Sequence, residues 1–300
     1  MAAKRFSGFN LFNVVFLTVF TLVVFYPFYY MLIYSLSVGK SAGTGIYLWP
    51  RNFTLENYQV LLKSPYILNA YFITIARTVV GVVTSVACTG IWAYAMADPK
   101  LIGRKIYTIA ATVPMFFSGG IIPFYILIRQ LHLINTFWVY ILPVVYVTWH
   151  MILMRAFYQN LHPSLEESAR IDGASDFKIF TSIIFPISLP MISTIALFTA
   201  VGQWNAWFDA FIFINNPDLH PIQLFLKQVI QQNTQMKSLM SSLAGAGVDA
   251  ETLKRYENIQ VTNESLKAAA TVITIGPIIA VYPFMQKYFI QGLTLGSVKG

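Results

Sequence analysis

The stretch LEESARIDGASDFKIFTSIIFP, Leu165–Pro186, carries four acids (Glu166, Glu167, Asp172, Asp176) and two bases (Arg170, Lys178) in a chain whose charged fraction is only 11%. Long apolar segments flank it on both sides. Its residues predict two short helices around a turn. Pro163 suits a first helical turn, where its missing N–H leaves no bond unmade. Leu165 and Ala169, at i and i+4, share one face. Gly173 falls where a helix ends and accepts the left-handed conformation without a Cβ penalty. Ser175 can cap a second helix that leads through Phe177, Ile179 and Phe180 into the next apolar run. Ala169 and Ala174 are small enough for a partner to approach the backbone. Acids on one helix and aromatics on the other then form a docking knob; the alternative is a solvated loop with ordinary capping.

Working outward, 56% of the 300 residues are hydrophobic and 24 are Phe. A soluble domain of this length cannot hide that much apolar surface, so the chain belongs in a bilayer. The net charge of +8 suits anionic headgroups, and with no basic stripe a nucleic-acid partner is excluded. The single cysteine, Cys88, can form no intrachain disulfide. The start, MAAKRF, is basic like a signal peptide, but the apolar run after it reaches Leu36, too long for a signal core. It reads as a retained first span.

A spanning helix needs ~20 mostly apolar residues. Six stretches qualify: Leu11–Leu36, Leu68–Ala97, Ile106–Ile128, Ile134–Phe157, Ile179–Ile214 and Ala268–Ile290. The fifth is long enough to be tilted or broken. The expected fold is all-α and polytopic: a short N-terminal segment, residues 1–10, then one six-span domain over 11–300. Within 38–67, Leu55, Tyr58 and Leu62 recur at helical spacing, Thr54 can cap and Pro65 follows the end, which predicts a short helix against the membrane surface. Prolines and glycines inside the spans (Pro114, Pro123, Pro143, Pro186, Pro190, Gly202, Gly276, Pro277) favour a transporter or channel, because broken helices are tolerated where they line a cavity; packing kinks in an inert bundle are the alternative. Arg77, early in the second span, is expected to snorkel outward. Arg155 and Lys287 fit interfacial anchoring.

An even number of spans puts both termini on one side. With that side taken as cytoplasmic, ten of the 20 Lys and Arg fall inside and ten outside, so the positive-inside rule ties. The N-terminus and the short basic loop 98–105 lean toward a cytoplasmic N-terminus.

The pattern Glu167-Ser168-Ala169, three residues, Gly173, nine residues, then Ile183 to Pro186 resembles the EAA motif of binding-protein-dependent ABC permeases. Ser168 and Phe185 depart from that motif, standing where it has Ala and Leu. ARIDGAS resembles the carbohydrate-uptake branch, similar to the maltose-type G subunit. FSGGIIPFYILIRQLHLINTFWVYILP, VGQWNAWFDAFIFINNPDLHPIQ and the tail VYPFMQKYFIQGLTLGSVKG are similar to permeases of complex-oligosaccharide and lipoprotein-linked sugar importers of Gram-positive bacteria. The resemblance implies a type I importer permease fold in the bacterial plasma membrane. Loop 158–178 would then be cytoplasmic, which breaks the charge tie in favour of cytoplasmic N- and C-termini. It implies coupling helices made of Glu166, Glu167, Ser168, Ala169, Arg170, Asp172, Gly173, Ala174 and Phe177. The partners it implies are a second, different permease chain, a cytoplasmic ATPase dimer that binds ATP and Mg, and an extracellular sugar-binding lipoprotein.

The residues themselves hold no P-loop. GKS at Gly39–Ser41 lacks the preceding glycine. No catalytic constellation, metal set or cofactor motif is visible, so ATP hydrolysis falls to a partner. Gly202–Asp209, GQWNAWFD, offers flat rings and hydroxyl partners for a sugar in Trp204, Asn205, Trp207 and Asp209. Either these line the substrate path, with Asn205 and Asp209 facing a cavity, or the tryptophans form an interfacial belt. Loop 215–267 is expected outside, contacting the binding protein, partly capping the outer entrance, or simply mobile. The function expected is carbohydrate import, of an oligosaccharide; the alternative is a secondary transporter, which would want an ion-coupling acid in mid-membrane and internal repeats.

Overall fold

The structure is a computed structural model that describes residues 8–38, 45, 48–231 and 262–297. Gly39–Ser41 and most of loop 215–267 lie outside the described residues. By length and composition, three helices can cross a membrane, or up to six if each bent pair is one span. Among the described residues there is no strand, only one isolated antiparallel bridge, Ser37 to Phe53. The chain divides into two compact units, Met1–Pro65 with Leu226–Gly276 and Tyr66–Phe225 with Pro277–Gly300.

In the first unit, α1 (Gly8–Ser35) has 28 residues, about 42 Å at ~1.5 Å per residue, enough for the ~30 Å apolar core. Its side chains from Phe9 to Phe25 are exposed, as a lipid-facing helix requires. The end of α1 is tied down by α2 (Glu56–Leu62). Asn57, fully buried, donates to the carbonyls of Ser35 (2.7 Å) and Ser37 (3.3 Å) and accepts from Ser265 Oγ (2.8 Å). Ser35 Oγ and Tyr58 OH lie 2.6 Å apart. Every polar group in this knot is met, which is what burial demands. The expected α2 thus exists, with Leu55 and Leu62 exposed, but the face it buries is Asn57 and Leu61. Thr54 Oγ1 accepts from Glu56 N (3.2 Å), and Pro65 opens the next helix.

In the second unit, α3 (Pro65–Ala97) is unbroken, whereas the three spans after it are not. The pair α4 (Arg104–Phe116) and α5 (Ile121–Gln130) bends by 119°, at a break ending in Gly119 and Gly120. Two 3-10 turns over Phe137–Val144 meet α6 (Thr148–Gln159) at 46°, beside Pro143. The third and fourth expected spans, over 106–128 and 134–157, are thus broken pairs, each with proline inside it. The chain then forms α7 (Ser164–Ile171) and α8 (Asp176–Ile179), a π-helical turn over Phe180–Ile184, and α9 (Phe185–Ile187). At Ser188 it bends by 81° into α10 (Leu189–Asn205), with Pro186 and Pro190 on either side. A second break follows before α11 (Phe208–Phe213). A further helix covers residues 222–231, and the last is Asn263–Ser297, with Pro277 and Pro283 inside it.

Two cores hold the second unit. One joins Ala93, Met96, Met151, Met154, Ile179, Phe180, Ile184 and Ile195. The other joins Ile73, Ile128, Tyr140, Ala210, Phe213 and Leu224.

Replacing Asn57 by Leu strands two buried carbonyls and the Ser265 hydroxyl. At about 1–3 kcal/mol per stranded group, Asn57→Leu is expected to lower the melting temperature of the detergent-purified chain by several degrees; an unchanged melting temperature would mean that the knot stabilises nothing.

Candidate functional site

Local chemistry shapes the knob as expected. Gly173 adopts φ +78°, and a Cβ there would meet nothing within 4 Å, so the demand for glycine is conformational. Ala174 N donates to Ala169 O (3.0 Å) and Gly173 N to Arg170 O (3.1 Å), closing α7. Ser175 Oγ accepts from Lys178 N (3.4 Å) and caps α8. Arg170 spans the turn, 2.8 Å from Asp176 and 3.8 Å from Glu166. Exposed pairs of this kind contribute about 0.2–1 kcal/mol, so Arg170 orients the two helices more than it stabilises them.

Glu167, Ser168, Asp172, Gly173 and Phe177 are exposed, while Glu166 and Ala174 are half-buried. Ala169 is different: it is buried in the chain's own core beside Ile179. Its small size therefore serves packing within the chain's own core. The protruding apolar side chains are Phe177, 70% exposed, and Ile171, 86% exposed; sequence reasoning passed over Ile171, although it lies beside Asp172. Across an open cleft of about 700 Å³ the knob faces Asp98, Lys100 and Arg104. The knob is fastened to the spans through Phe180, buried, with its ring 5.2 Å from Tyr94 of α3 and 6.1 Å from Phe185.

A second polar constellation lies at the other end of α10. Arg77 does not snorkel: it is 1% exposed. Its Nε and Nη2 donate to Gln203 Oε1 (3.1 and 2.9 Å), Nη1 to Ala206 O (3.2 Å) and Asp209 Oδ1 (3.3 Å), and Nη2 to Asp209 Oδ2 (2.5 Å). All five guanidinium N–H groups are used, so an inward orientation satisfies what water would otherwise supply. The guanidinium sits 4.2 Å from the centre of the Tyr140 ring, a cation–π contact. Gln203 Nε2 donates to Tyr140 O (3.0 Å), and Tyr140 OH to Leu219 O (2.7 Å). A Cβ at Gly81 would stand 2.6 Å from Gln203 Nε2, so glycine lets Gln203 lie across α3.

Of the candidate path residues, Asp209 is therefore held by Arg77, with 27% of its side chain still exposed. Asn205 is exposed; its Nδ2 donates to Val201 O (2.9 Å) and its Oδ1 accepts from Gln223 Nε2 (3.3 Å). Trp207 lies among aromatics, edge-on to Phe208 at 5.7 Å and tilted to Phe211 at 6.0 Å, and packs on the second core. Trp204 is half-buried. Among the described residues no three His, Cys, Asp or Glu side chains gather as metal ligands.

The model of the family described as binding-protein-dependent transport system inner membrane component matches residues 81–295. The chain is 35% identical to Protein LplC of Bacillus subtilis, over 97% of this chain and 95% of that protein. It is 34% identical to the polygalacturonan/rhamnogalacturonan transport system permease protein YtcP of the same organism, over 95% and 96%. Its fold is similar to a chain in the crystal structure of a bacterial ABC transporter involved in the import of the acidic polysaccharide alginate, with TM-score 0.80 and 29% identity, covering 96% of this chain and 99% of that one.

Arg77→Met leaves the Asp209 carboxylate and Gln203 without their donor, and is expected to cost about 3 kcal/mol of stability, near the low end for a broken buried pair because Asp209 keeps some solvent. The double variant Arg77→Met, Asp209→Leu is expected to recover most of that loss in a thermal melt; equal losses in the two would argue against the pair.

Proposed function

This chain belongs to the binding-protein-dependent transport system inner membrane component family, and on that premise we propose how its parts divide the work. It is a membrane-spanning permease subunit of an ATP-driven ABC importer that moves carbohydrate. It is a transport subunit and not an enzyme; a partner ATPase hydrolyses ATP. Importers of this family work with a second permease, an ATPase and a substrate-binding protein. The family match sets aside the secondary-transporter alternative.

In the proposed division, loop 158–178 is cytoplasmic, as are both termini. Glu166, Glu167, Ser168, Arg170, Asp172, Gly173, Ala174 and Phe177 form the knob that docks on a subunit of an ATPase dimer, with Ala169 holding it from inside. The observation that carries this reading is the exposed two-helix knob, closed by a left-handed Gly173 and fastened through Phe180 to α3. A push on the knob then reaches the spans through packed rings and a π-helical turn, a kind of irregularity frequent at functional sites. The second permease is a different chain, and an extracellular sugar-binding lipoprotein delivers the solute. Trp204, Asn205, Trp207 and Asp209 line its path, a reading supported by exposed Asn205 and part-exposed Asp209. The solute is an oligosaccharide. Uronate-containing chains are the first class to test, because YtcP is named for polygalacturonan and the structural neighbour imports alginate.

Tagging the chain in its native membrane and purifying it in mild detergent is expected to bring down an ATPase and a second permease; a chain that purified alone and still moved solute would overturn the assignment. In the assembled complex, Gly173→Trp is expected to leave the chain in the membrane while ATP hydrolysis continues without uptake. Normal uptake by that variant would remove the coupling role.

A further inference from the structure

The fifth span breaks twice, and at the second break one side chain reaches both flanking helices and the carbonyl between them. α10 ends at Asn205, Ala206 is extended (φ −73°, ψ 127°), and α11 starts at Phe208. A break of this kind frees backbone carbonyls that lipid cannot satisfy. Arg77 donates to the Ala206 carbonyl itself, to Gln203 in the last turn of α10, and to Asp209 in the first turn of α11. Asp209 Oδ1 in turn accepts from Ala210 N at 2.8 Å. One guanidinium thus grips both sides of the break and the carbonyl between them.

We propose that Arg77 is a positioning residue for translocation: by stapling the break at Ala206 it sets which side chains of residues 204–209 meet the solute. The proposal rests on the reading of that segment as the substrate path. Its physical basis is register. A helix turns ~100° per residue, so a break displaced by one residue swings Asn205 away from the face on which it is exposed. Only a planar fork with five donors can hold the three groups at once; lysine is a compact point charge with three. Arg77→Lys therefore keeps a cation beside Asp209 but gives up the register. A merely structural staple would change how much folded transporter accumulates. A positioning staple changes which residue water reaches.

The test is thiol labelling of the assembled transporter in lipid nanodiscs, with the exposed Cys88 replaced by Ser. Single substitutions Asn205→Cys, Ala206→Cys, Phe208→Cys and Ala210→Cys are each exposed to a charged methanethiosulfonate. With Arg77 present, Asn205→Cys is expected to react and Ala210→Cys, at a fully buried position, to resist. With Arg77→Lys, labelling at position 205 is expected to be lost and to rise at the half-buried position 206, with Phe208→Cys, exposed in the parent as well, as the accessible reference. Asp209→Glu, which keeps the charge pair but moves the carboxylate by one methylene, is expected to shift the pattern in the same way and serves if the Lys variant does not assemble. An unchanged order of reactivity in a variant that assembles would overturn the proposal while leaving the path reading in place. Silence at position 205 in the Arg77 parent would overturn both.

Discussion

A helix that breaks inside a bilayer exposes backbone groups that lipid cannot hydrogen-bond, so each break must be repaired by protein. That constraint organises the second unit of this chain. The three spans after α3 are all bent, by 119°, 46° and 81°. Where the fifth span breaks again at Ala206, repair comes from Arg77 at the cost of burying a guanidinium. The guanidinium in turn requires Asp209, Gln203 and the face of Tyr140 around it. Gly81 must be small for Gln203 to reach across. The first unit follows the same rule on a smaller scale, with Asn57 meeting the carbonyls at the frayed end of α1.

The two ends of α10 are built differently, and the difference suits a transporter. At one end a saturated polar network holds a break in one place. At the other, aromatic rings and a π-helical turn carry the chain out to a knob whose polar and apolar groups are largely exposed. In the proposed mechanism the packed rings transmit force. The knob itself, braced by Arg170 between Glu166 and Asp176, presents Ile171 and Phe177 outward. Those two are suited to an apolar cleft on another protein.

Much of this was legible in the sequence where chemistry is local. The left-handed glycine, the Ser175 cap and the six apolar stretches each follow from residues within a few positions of one another, and each is present. The family resemblance carried by Glu167 to Gly173 led to the function. What stayed hidden depends on distant partners. Arg77 and Asp209 are 132 positions apart, so Arg77 read as a lone cation bound for the interface and Asp209 as an open carboxylate. Ala169 turned inward because it packs into a core built from residues far along the chain, Met151, Met154 and Ile195 among them. Pro114, Pro123 and Pro143 signalled irregular third and fourth spans, but hydropathy alone cannot tell a kinked span from a broken one, and Gly119–Gly120, where the third span breaks, was passed over.

The central claim is that the knob between the fourth and fifth spans is where ATP hydrolysis is felt. The most direct measurement places a single cysteine at the exposed Phe177 of the assembled complex, with Cys88 replaced by Ser, and asks by short-range cross-linking which chain it touches. The account predicts a cross-link to the ATPase subunit whose yield changes with the nucleotide bound. A residue 177 that cross-links only to membrane chains, or to none, in a complex that still transports would contradict it.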